Sequence, residues 1–91
     1  METITIKEDN LNDFIIDNFT ENSLVEISFN RVFIPGILLN INDDDDELIL
    51  TLRLQGQLLH QTVDINIDEI KSEVVEIRYS NVDEQINLVV I

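Results

Sequence analysis

The stretch VFIPGILLNI, residues 32–41, is apolar almost throughout and places the only proline of the chain beside one of its two glycines. Proline lacks the N–H that a central strand donates, and a glycine inside a strand commonly marks a bulge or a close backbone approach. We therefore predict one strongly bent strand over residues 32–41. A tight Pro35-Gly36 hairpin is the alternative, and it is less favoured because two-residue hairpins prefer primed turns.

Around this stretch the hydrophobic residues recur mostly with the period of strands, and one segment has the period of a helix. The helix is predicted at about residues 10–20, where apolar side chains return at helical spacing and Asp9 or Asn10 is available as the N-cap. Alternation of apolar and polar residues predicts strands at about 3–6, 24–30, 32–41, 47–54, 58–67, 73–79 and 86–91.

The composition is typical of a small, strand-rich domain. The 91 residues are 44% hydrophobic, contain no alanine, and leave room for one core. We predict a single α+β (mainly β) domain over residues 1–91, with one N-terminal helix on a small, strongly bent antiparallel sheet or small barrel. The four phenylalanines are assigned to its core, and Tyr79 either to the core or to an exposed contact; the four are Phe14, Phe19, Phe29 and Phe33.

The middle of the chain carries a set of spaced features: a bent Gly36-x-Leu38 strand, Asn42 before an acidic turn, a Leu48-x-Leu50 strand, and a strand ending near Val75 and Ile77. In these features the segment from Leu24 to Ile77 resembles the Sm-like, or more broadly SH3-like, small barrels. The resemblance implies an Sm-like/SH3-like barrel preceded by a helix. RNA binding is not implied, because residues 68–72 read DEIKS where Sm-like proteins place a basic pair between their last two strands.

Charge bears directly on the class of partner. Nineteen acidic residues against five basic ones give a formal net charge of −14. Nucleic acids and anionic membranes are bound mainly through Lys and Arg, so we predict no direct nucleic-acid binding and no membrane binding. No apolar run approaches the roughly 20 residues that span a bilayer, and no signal-peptide pattern is present. Without cysteine there is no disulfide framework, and we expect a cytoplasmic protein.

Five consecutive acidic residues, Asp43-Asp44-Asp45-Asp46-Glu47, separate two predicted strands. Several carboxylates close together suggest a calcium site, because hard cations take carboxylate oxygens. The order of an EF-hand is not met, however: counted from Asn40, Asp45 stands at the glycine position and Thr51 at the position of the final glutamate. We therefore predict a solvated turn between strands, with no specific metal site and no cofactor, and weak, adventitious cation binding is the alternative.

Acidic residues also recur along the predicted helix. Asp9, Asp13, Asp17 and Glu21 follow one another at i, i+4, where each like-charge pair costs about 0.2–0.5 kcal/mol. Asp17 and Glu21 also oppose the helix dipole near its C-terminus. Because this arrangement does not favour stability, we predict a partner-binding surface. Its residues are Asp9, Asp13, Asp17, Glu21, Asp43, Asp44, Asp45, Asp46 and Glu47. The competing interpretation is an acidic surface that serves solubility alone.

Catalysis has little support in the sequence, because His60 is the only histidine, cysteine is absent, and no serine lies in a recognisable nucleophile motif. We predict a non-enzymatic protein without catalytic residues that blocks a basic, nucleic-acid-handling protein by nucleic-acid mimicry. A phage-encoded anti-defence inhibitor is the leading form. The alternatives are an immunity protein that neutralises a basic toxin, and an Sm-like structural or assembly module that uses strand edges.

The C-terminus, Val89-Val90-Ile91, is apolar on both strand faces up to the last residue. Chain ends usually fray. This pattern therefore predicts a last strand that pairs within the sheet and is covered on both sides, and a homodimer through this strand is one way to cover it.

Overall fold

The computed structural model describes residues 1–55 and 61–91. His60, most of the predicted turn at residues 55–57 and the beginning of the strand predicted at 58–67 lie outside the described residues. The described strands are β1 (Glu2–Ile6), β2 (Leu24–Phe29), β3 (Val32–Asp44), β4 (Glu47–Leu54), β5 (Thr62–Asn66), β6 (Val74–Ser80) and β7 (Gln85–Val90). The helices are α1 (Leu11–Asn18) and α2 (Ile67–Ile70), with single 3-10 turns at Glu8–Asn10 and Lys71–Glu73. None of the helices in the described ranges has the length and apolar character needed to cross a bilayer.

The seven strands form one mixed sheet in the order β1-β7-β6-β2-β3-β4-β5. The α+β, mainly β class is therefore confirmed. Neighbouring strands are antiparallel with one exception: β1 and β7 run parallel, from Glu2 opposite Ile86 to Ile6 opposite Val90. The prediction of a wholly antiparallel sheet is wrong at this pair. Nearly the whole chain lies between these two strands, so no hairpin turn fixes their relative direction.

Strand β3 is continuous through Pro35 and Gly36, which confirms a single strand there and rules out the Pro-Gly hairpin. The strong bend predicted at this pair does not interrupt the ladder, since β3 pairs with β2 from Val32 to Ile37 without a register shift. Gly36 is paired on both sides, with Val25 of β2 and Leu54 of β4. The irregularity of β3 lies at Leu39, where the β3–β4 register shifts by one residue as in a bulge. The first half of β3 therefore pairs mainly with β2, and its second half pairs with β4.

Glycine is required at position 36 by close approach rather than by backbone dihedral. A Cβ atom there would lie 2.9 Å from the carbonyl oxygen of Arg53 and 3.0 Å from Cβ of Leu52. Because β4 cannot retreat without breaking its ladder, Gly36→Ala is expected to lower the free energy of unfolding by about 1–3 kcal/mol. Urea unfolding measures this loss, and Asn40→Ala, at an exposed position of the same strand, should stay within about 0.5 kcal/mol of wild type. Equal stability of the two variants would contradict the close packing at Gly36.

The core is one cluster of buried side chains contributed by α1 and by the inner faces of the strands. Leu11 and Ile15 of α1 supply the helical side of this cluster together with Ile67 of α2, and Phe19 joins it from the residue after α1. Helix α1 is shorter than predicted and ends at Asn18, because Phe19 already adopts an extended conformation. Phe33 was assigned to the core, and this is wrong: it is 51% exposed.

The predicted strand at 58–67 ends one residue early, at Asn66, and a short helix follows that the hydrophobic alternation does not reveal. The side-chain oxygen of Asn66 accepts hydrogen bonds from the backbone N–H groups of Asp68 and Glu69. This is the bonding of an N-cap residue. Ile67 is buried at the first position of α2, as it would be in a strand. The alternation of apolar and polar residues therefore continues through Ile67 although the strand has ended.

Strand β7 lies between β6 and β1, so both of its hydrogen-bonding edges are occupied within the chain. Ile91 continues this attachment, since its N–H donates to the carbonyl of Ile6 and its carbonyl accepts from the N–H of Glu8. The predicted pairing of the last strand is present. A homodimer remains a prediction, and β7 has no unpaired edge to offer it.

Candidate functional site

The acidic run forms the tip of the β3–β4 hairpin, which we call the acidic tip and define as Asp43, Asp44, Asp45, Asp46 and Glu47. All five residues are exposed. The run is not a loop: Asp43 and Asp44 belong to β3, Glu47 belongs to β4, and Asp44 lies opposite Glu47. Only Asp45 and Asp46 form the turn, so the predicted five-residue turn is a two-residue one.

Both turn residues have positive φ, 54° at Asp45 and 63° at Asp46. Positive φ at both central positions is what a type I′ hairpin turn requires, and Asn-Gly or Asp-Gly is the preferred pair there. The β2–β3 hairpin has the same form, with φ of 43° at Asn30 and 63° at Arg31. The second turn residue is therefore an aspartate at one tip and an arginine at the other, where a glycine would be least strained.

The acidic tip is fixed to the rest of the fold through Asp68, the second residue of α2. One carboxylate oxygen of Asp68 accepts a hydrogen bond from the backbone N–H of Leu48, at 2.7 Å. The other accepts from the side-chain amide of Asn12 in α1, at 2.9 Å, and from the ammonium of Lys71, at 3.3 Å. Asp68 thereby joins α1, α2 and the first residues of β4.

The same contacts set the ionisation of Asp68. Partial burial by itself would raise its pKa. The hydrogen bonds from Leu48, from Asn12 and from Lys71, together with the positive charge of Lys71, outweigh burial and hold the pKa of Asp68 below its ordinary value. Asp68 is consequently a stable anion at neutral pH.

Further carboxylates lie around this junction. The side-chain amide of Asn66 donates to Glu47 at 3.2 Å, which ties the tip to the start of α2. Glu69 follows Asp68 and is exposed, and Asp13 follows Asn12 on the first turn of α1 and is also exposed. We call the acidic tip together with Asp13, Asp68 and Glu69 the acidic end.

Few cations offset the acidic end. The two ion pairs found within residues 1–55 and 61–91 are Lys71 with Asp68, at 3.3 Å, and Arg78 with Glu76, at 3.7 Å. Lys71 is thus engaged by Asp68, and the five carboxylates of the acidic tip form no ion pair with a described residue. Their field is directed at solvent.

The four acidic residues predicted along one helix do not share a helix. Asp13 and Asp17 lie in α1, but Asp9 lies in the preceding 3-10 turn and Glu21 lies in the turn after α1. Glu21 lines a hollow beside Asn81 and Asp83, near the β6–β7 turn. The continuous stripe is therefore wrong, because the helix is only eight residues long. Of its four members, Asp13 is the one placed next to a residue that contacts Asp68.

A buried polar cluster that sequence reasoning did not assign lies at the opposite end of α1. Tyr79 is 1% exposed and stacks on Phe19, with ring centroids 4.4 Å apart. Its hydroxyl oxygen accepts from the backbone N–H of Thr20, at 3.1 Å, and from the side-chain amide of Asn81, at 2.8 Å. The hydroxyls of Thr20 and Ser23 lie 2.9 and 3.3 Å from it. This cluster locks the chain after α1 to β6.

The carboxylates of the acidic end can attract positive charge, but they do not have the geometry of metal ligands. Within the described ranges, no group of three or more His, Cys, Asp or Glu side chains converges as a metal site would. Extended carboxylates on neighbouring strand positions point apart, since successive side chains alternate between the two faces. The acidic end is therefore a largely exposed surface of negative charge.

The chain belongs to a family of uncharacterized proteins conserved in archaea (DUF2097), whose model matches residues 2–91. No curated protein and no solved structure shows significant similarity to it. The family description names no activity, so function has to be inferred from the geometry.

Proposed function

We propose that this chain is a non-enzymatic, cytoplasmic, acidic protein that binds a basic, nucleic-acid-handling protein and covers its nucleic-acid surface. The observation that carries the proposal is the acidic tip. Five consecutive carboxylates project from a two-residue hairpin and form no ion pair with a described residue.

Two local features of the acidic tip lower the stability of the fold. Their presence favours a functional reason for the acidic residues. Asp44 and Glu47 lie directly opposite each other across the hairpin, and like charges in that position are destabilising. Asp46 takes a positive φ where glycine would be less strained. Neither feature is needed for solubility, because 14 other acidic residues lie elsewhere in the chain.

The density of the charges also supports the proposal. The five carboxylates lie at one hairpin tip, and successive side chains alternate between the two faces of each strand, so the tip presents negative charge on both faces. A negative field of this kind attracts a basic groove that binds phosphates and speeds association with a positive partner.

The fold-level resemblance enters the proposal as well. The strand order β6-β2-β3-β4-β5 and the long β3, which pairs with β2 and with β4, support the proposal of an Sm-like/SH3-like architecture. The RNA-binding role of Sm-like proteins is not part of the proposal. Residues 68–72, where a basic pair would lie, form α2 and the following 3-10 turn, and their one lysine contacts Asp68.

Two biological roles fit an acidic surface: a phage-encoded anti-defence inhibitor and an immunity protein against a basic toxin. An assembly module that pairs strand edges is the alternative. The first two use charge, whereas the third would use the outer edges of β1 and β5, the terminal strands of the described sheet. Ionic strength distinguishes these classes, because added salt screens charge and leaves backbone pairing largely intact.

The test is capture of partners from a lysate of the source organism at about 0.1 M and about 1 M salt, where the Debye length falls from about 10 to about 3 Å. The tip variant carries Asp44→Asn, Asp45→Asn and Asp46→Asn, which keep the turn because asparagine tolerates positive φ. Its matched control carries Glu2→Gln, Asp83→Asn and Glu84→Gln. Both triple variants raise the net charge of −14 by three.

We expect wild type and the control to capture the same basic protein at low salt, and the tip variant to capture much less of it. High salt should release the partner. Capture of one partner by all three proteins at both salt concentrations would refute the proposal and favour pairing through strand edges.

A stability prediction follows from the same turn. Asp46→Gly removes a non-glycine residue from positive φ and also removes one like charge, so it should raise the melting temperature by up to about 5 °C while weakening the complex. Arg31→Gly is the matched change in the other hairpin. It should relieve similar strain without altering partner capture. A fall in melting temperature for Asp46→Gly would show that the tip is already optimal for stability.

A further inference from the structure

Phe33 is a large apolar side chain that the fold leaves half in solvent. It lies near the start of β3, opposite Ser28 of β2, and Ser28 in turn lies opposite Glu76 of β6. The adjacent row on the same face holds Pro35, Glu26 and Arg78. The strand register therefore surrounds an exposed ring with charged groups.

One side of Phe33 is an apolar hollow of about 230 Å³. Among the described residues it is lined by Phe33, Ile34, Pro35, Leu54, Val63 and Ile65, with Gln55 at its margin. Small-molecule sites usually enclose about 300–1,000 Å³, whereas an apolar cavity of about 150 Å³ accepts a single benzene ring. The hollow therefore has the capacity of one large side chain.

The other side of Phe33 is a hollow of about 210 Å³ lined by Glu26, Ser28, Phe33, Glu76 and Arg78. It holds two carboxylates and one guanidinium. The contact between Arg78 and Glu76 is long, at 3.7 Å, and both side chains are partly exposed. Glu26 forms no ion pair with any residue of the described ranges. This hollow consequently has a carboxylate available for one more cation.

We propose that this Phe33 face binds an extended segment of a partner protein that carries an apolar side chain next to an Arg or Lys. The apolar side chain enters the hollow beside Pro35. The cation lies over the ring of Phe33, where a cation–π contact is available, and pairs with Glu26 and Glu76. Because Phe33 lines both hollows, the two partner side chains are within one or two residues of each other.

This inference rests on the proposed function for the identity of the partner, which is the same basic protein. The contact is a second one, on a surface other than the acidic tip. Charge complementarity selects the occupant: a second copy of this chain would bring a net charge of −14 to an acidic rim. A small apolar ligand would fill only the hollow beside Pro35 and make no use of the two carboxylates of the other hollow.

The test is selection of binders from a random 12-residue peptide library on the immobilised full-length protein. We expect enriched peptides to carry an apolar residue within two positions of Arg or Lys. Phe33→Ser should weaken such a peptide by about tenfold or more. Glu26→Gln combined with Glu76→Gln should remove the preference for a cation and retain the apolar residue. Val82→Ser is the matched control, since Val82 is fully exposed in the β6–β7 turn and lies in neither hollow.

Peptides that bind Phe33→Ser as tightly as wild type, or a selection without enrichment, would overturn the inference. The melting temperature of each variant is measured first, and Phe33→Leu serves as a second variant that keeps apolar character but removes the ring.

The tip variant separates the two proposals. Peptides that depend on Asp44, Asp45 and Asp46 and not on Phe33 would leave the proposed function standing and remove this one. Peptides that depend on Phe33 alone would support this one, whatever the fate of the acidic tip.

Discussion

Tyr79→Phe is expected to lower the free energy of unfolding by about 1–3 kcal/mol, although it removes a single oxygen atom. The stacked ring on Phe19 would remain. The backbone N–H of Thr20 would lose its acceptor, and the side-chain amide of Asn81 would keep only its longer contact with Ser23 Oγ, at 3.4 Å. The hydroxyl of Ser23, which is 2% exposed, would lose its contact with the Tyr79 hydroxyl. A polar group left buried without a partner costs about that amount.

Chemical denaturation measures this effect, and Thr20→Val is the informative companion. Thr20→Val removes one hydroxyl from the cluster and keeps both the backbone N–H of residue 20 and the hydroxyl of Tyr79. Its loss should be smaller than that of Tyr79→Phe. A Tyr79→Phe protein as stable as wild type would mean that the hydroxyl cluster does not hold the end of α1 to β6.

The second large effect is expected for Asp68→Asn, which should lower the free energy of unfolding by an amount that depends on pH. The substitution keeps the shape of the side chain and removes its negative charge. It also replaces one of the two carboxylate oxygens that accept hydrogen bonds from Leu48, Asn12 and Lys71. Hydrogen bonds to a charged group contribute about 1.5–3 kcal/mol, and the Leu48 N–H belongs to a fully buried residue. We expect a loss in that range at neutral pH.

The pH dependence follows from the lowered pKa of Asp68. An aspartate whose pKa is lower in the folded state than in the unfolded state stabilises the fold above the unfolded value of about 3.9. That contribution disappears as the pH falls through the folded-state pKa. The difference in stability between wild type and Asp68→Asn should therefore be constant near neutrality and shrink toward zero in acid. A difference that is independent of pH would contradict the assigned role of the Asp68 charge.

The elements that could be predicted were those in which local sequence and burial agree. Leu48, Leu50 and Leu52 alternate in the sequence and are all buried, so β4 was predictable almost to the residue. A single strand through Pro35 and Gly36 was predictable from the apolar run around them. The register shift at Leu39 was not, because Pro35 and Gly36 lie in a regular ladder with β2 and the irregularity is in the pairing with β4.

The parallel β1–β7 pair and helix α2 could not be predicted in the same way. The direction of β1 relative to β7 depends on the path of the whole intervening chain, which has no signature in either strand. Helix α2 depends on the side chain of Asn66 turning back onto two backbone N–H groups. In the sequence Asn66 fits the polar position of an alternating strand equally well, and the cap became recognisable only with the backbone in place.

The candidate site was predicted in part for a similar reason. A run of consecutive carboxylates is visible in any sequence, so the acidic tip was found, but its division into two strand ends and a two-residue turn depends on the register of Asp44 with Glu47. Asp68 was not predicted because its role arises from contacts with Asn12 and Leu48, 56 and 20 residues away. Sequence spacing alone gives no sign of such contacts.

The central claim is that the acidic tip occupies the surface with which a basic partner holds nucleic acid. The most direct test is displacement: fluorescently labelled nucleic acid is bound to the captured partner at about 0.1 M salt, and this protein is titrated in. We predict that wild type and the Glu2, Asp83, Glu84 control release the nucleic acid, and that the Asp44, Asp45, Asp46 variant needs about tenfold more protein to do so. A ternary complex in which the partner keeps its nucleic acid while this protein is bound would contradict the claim.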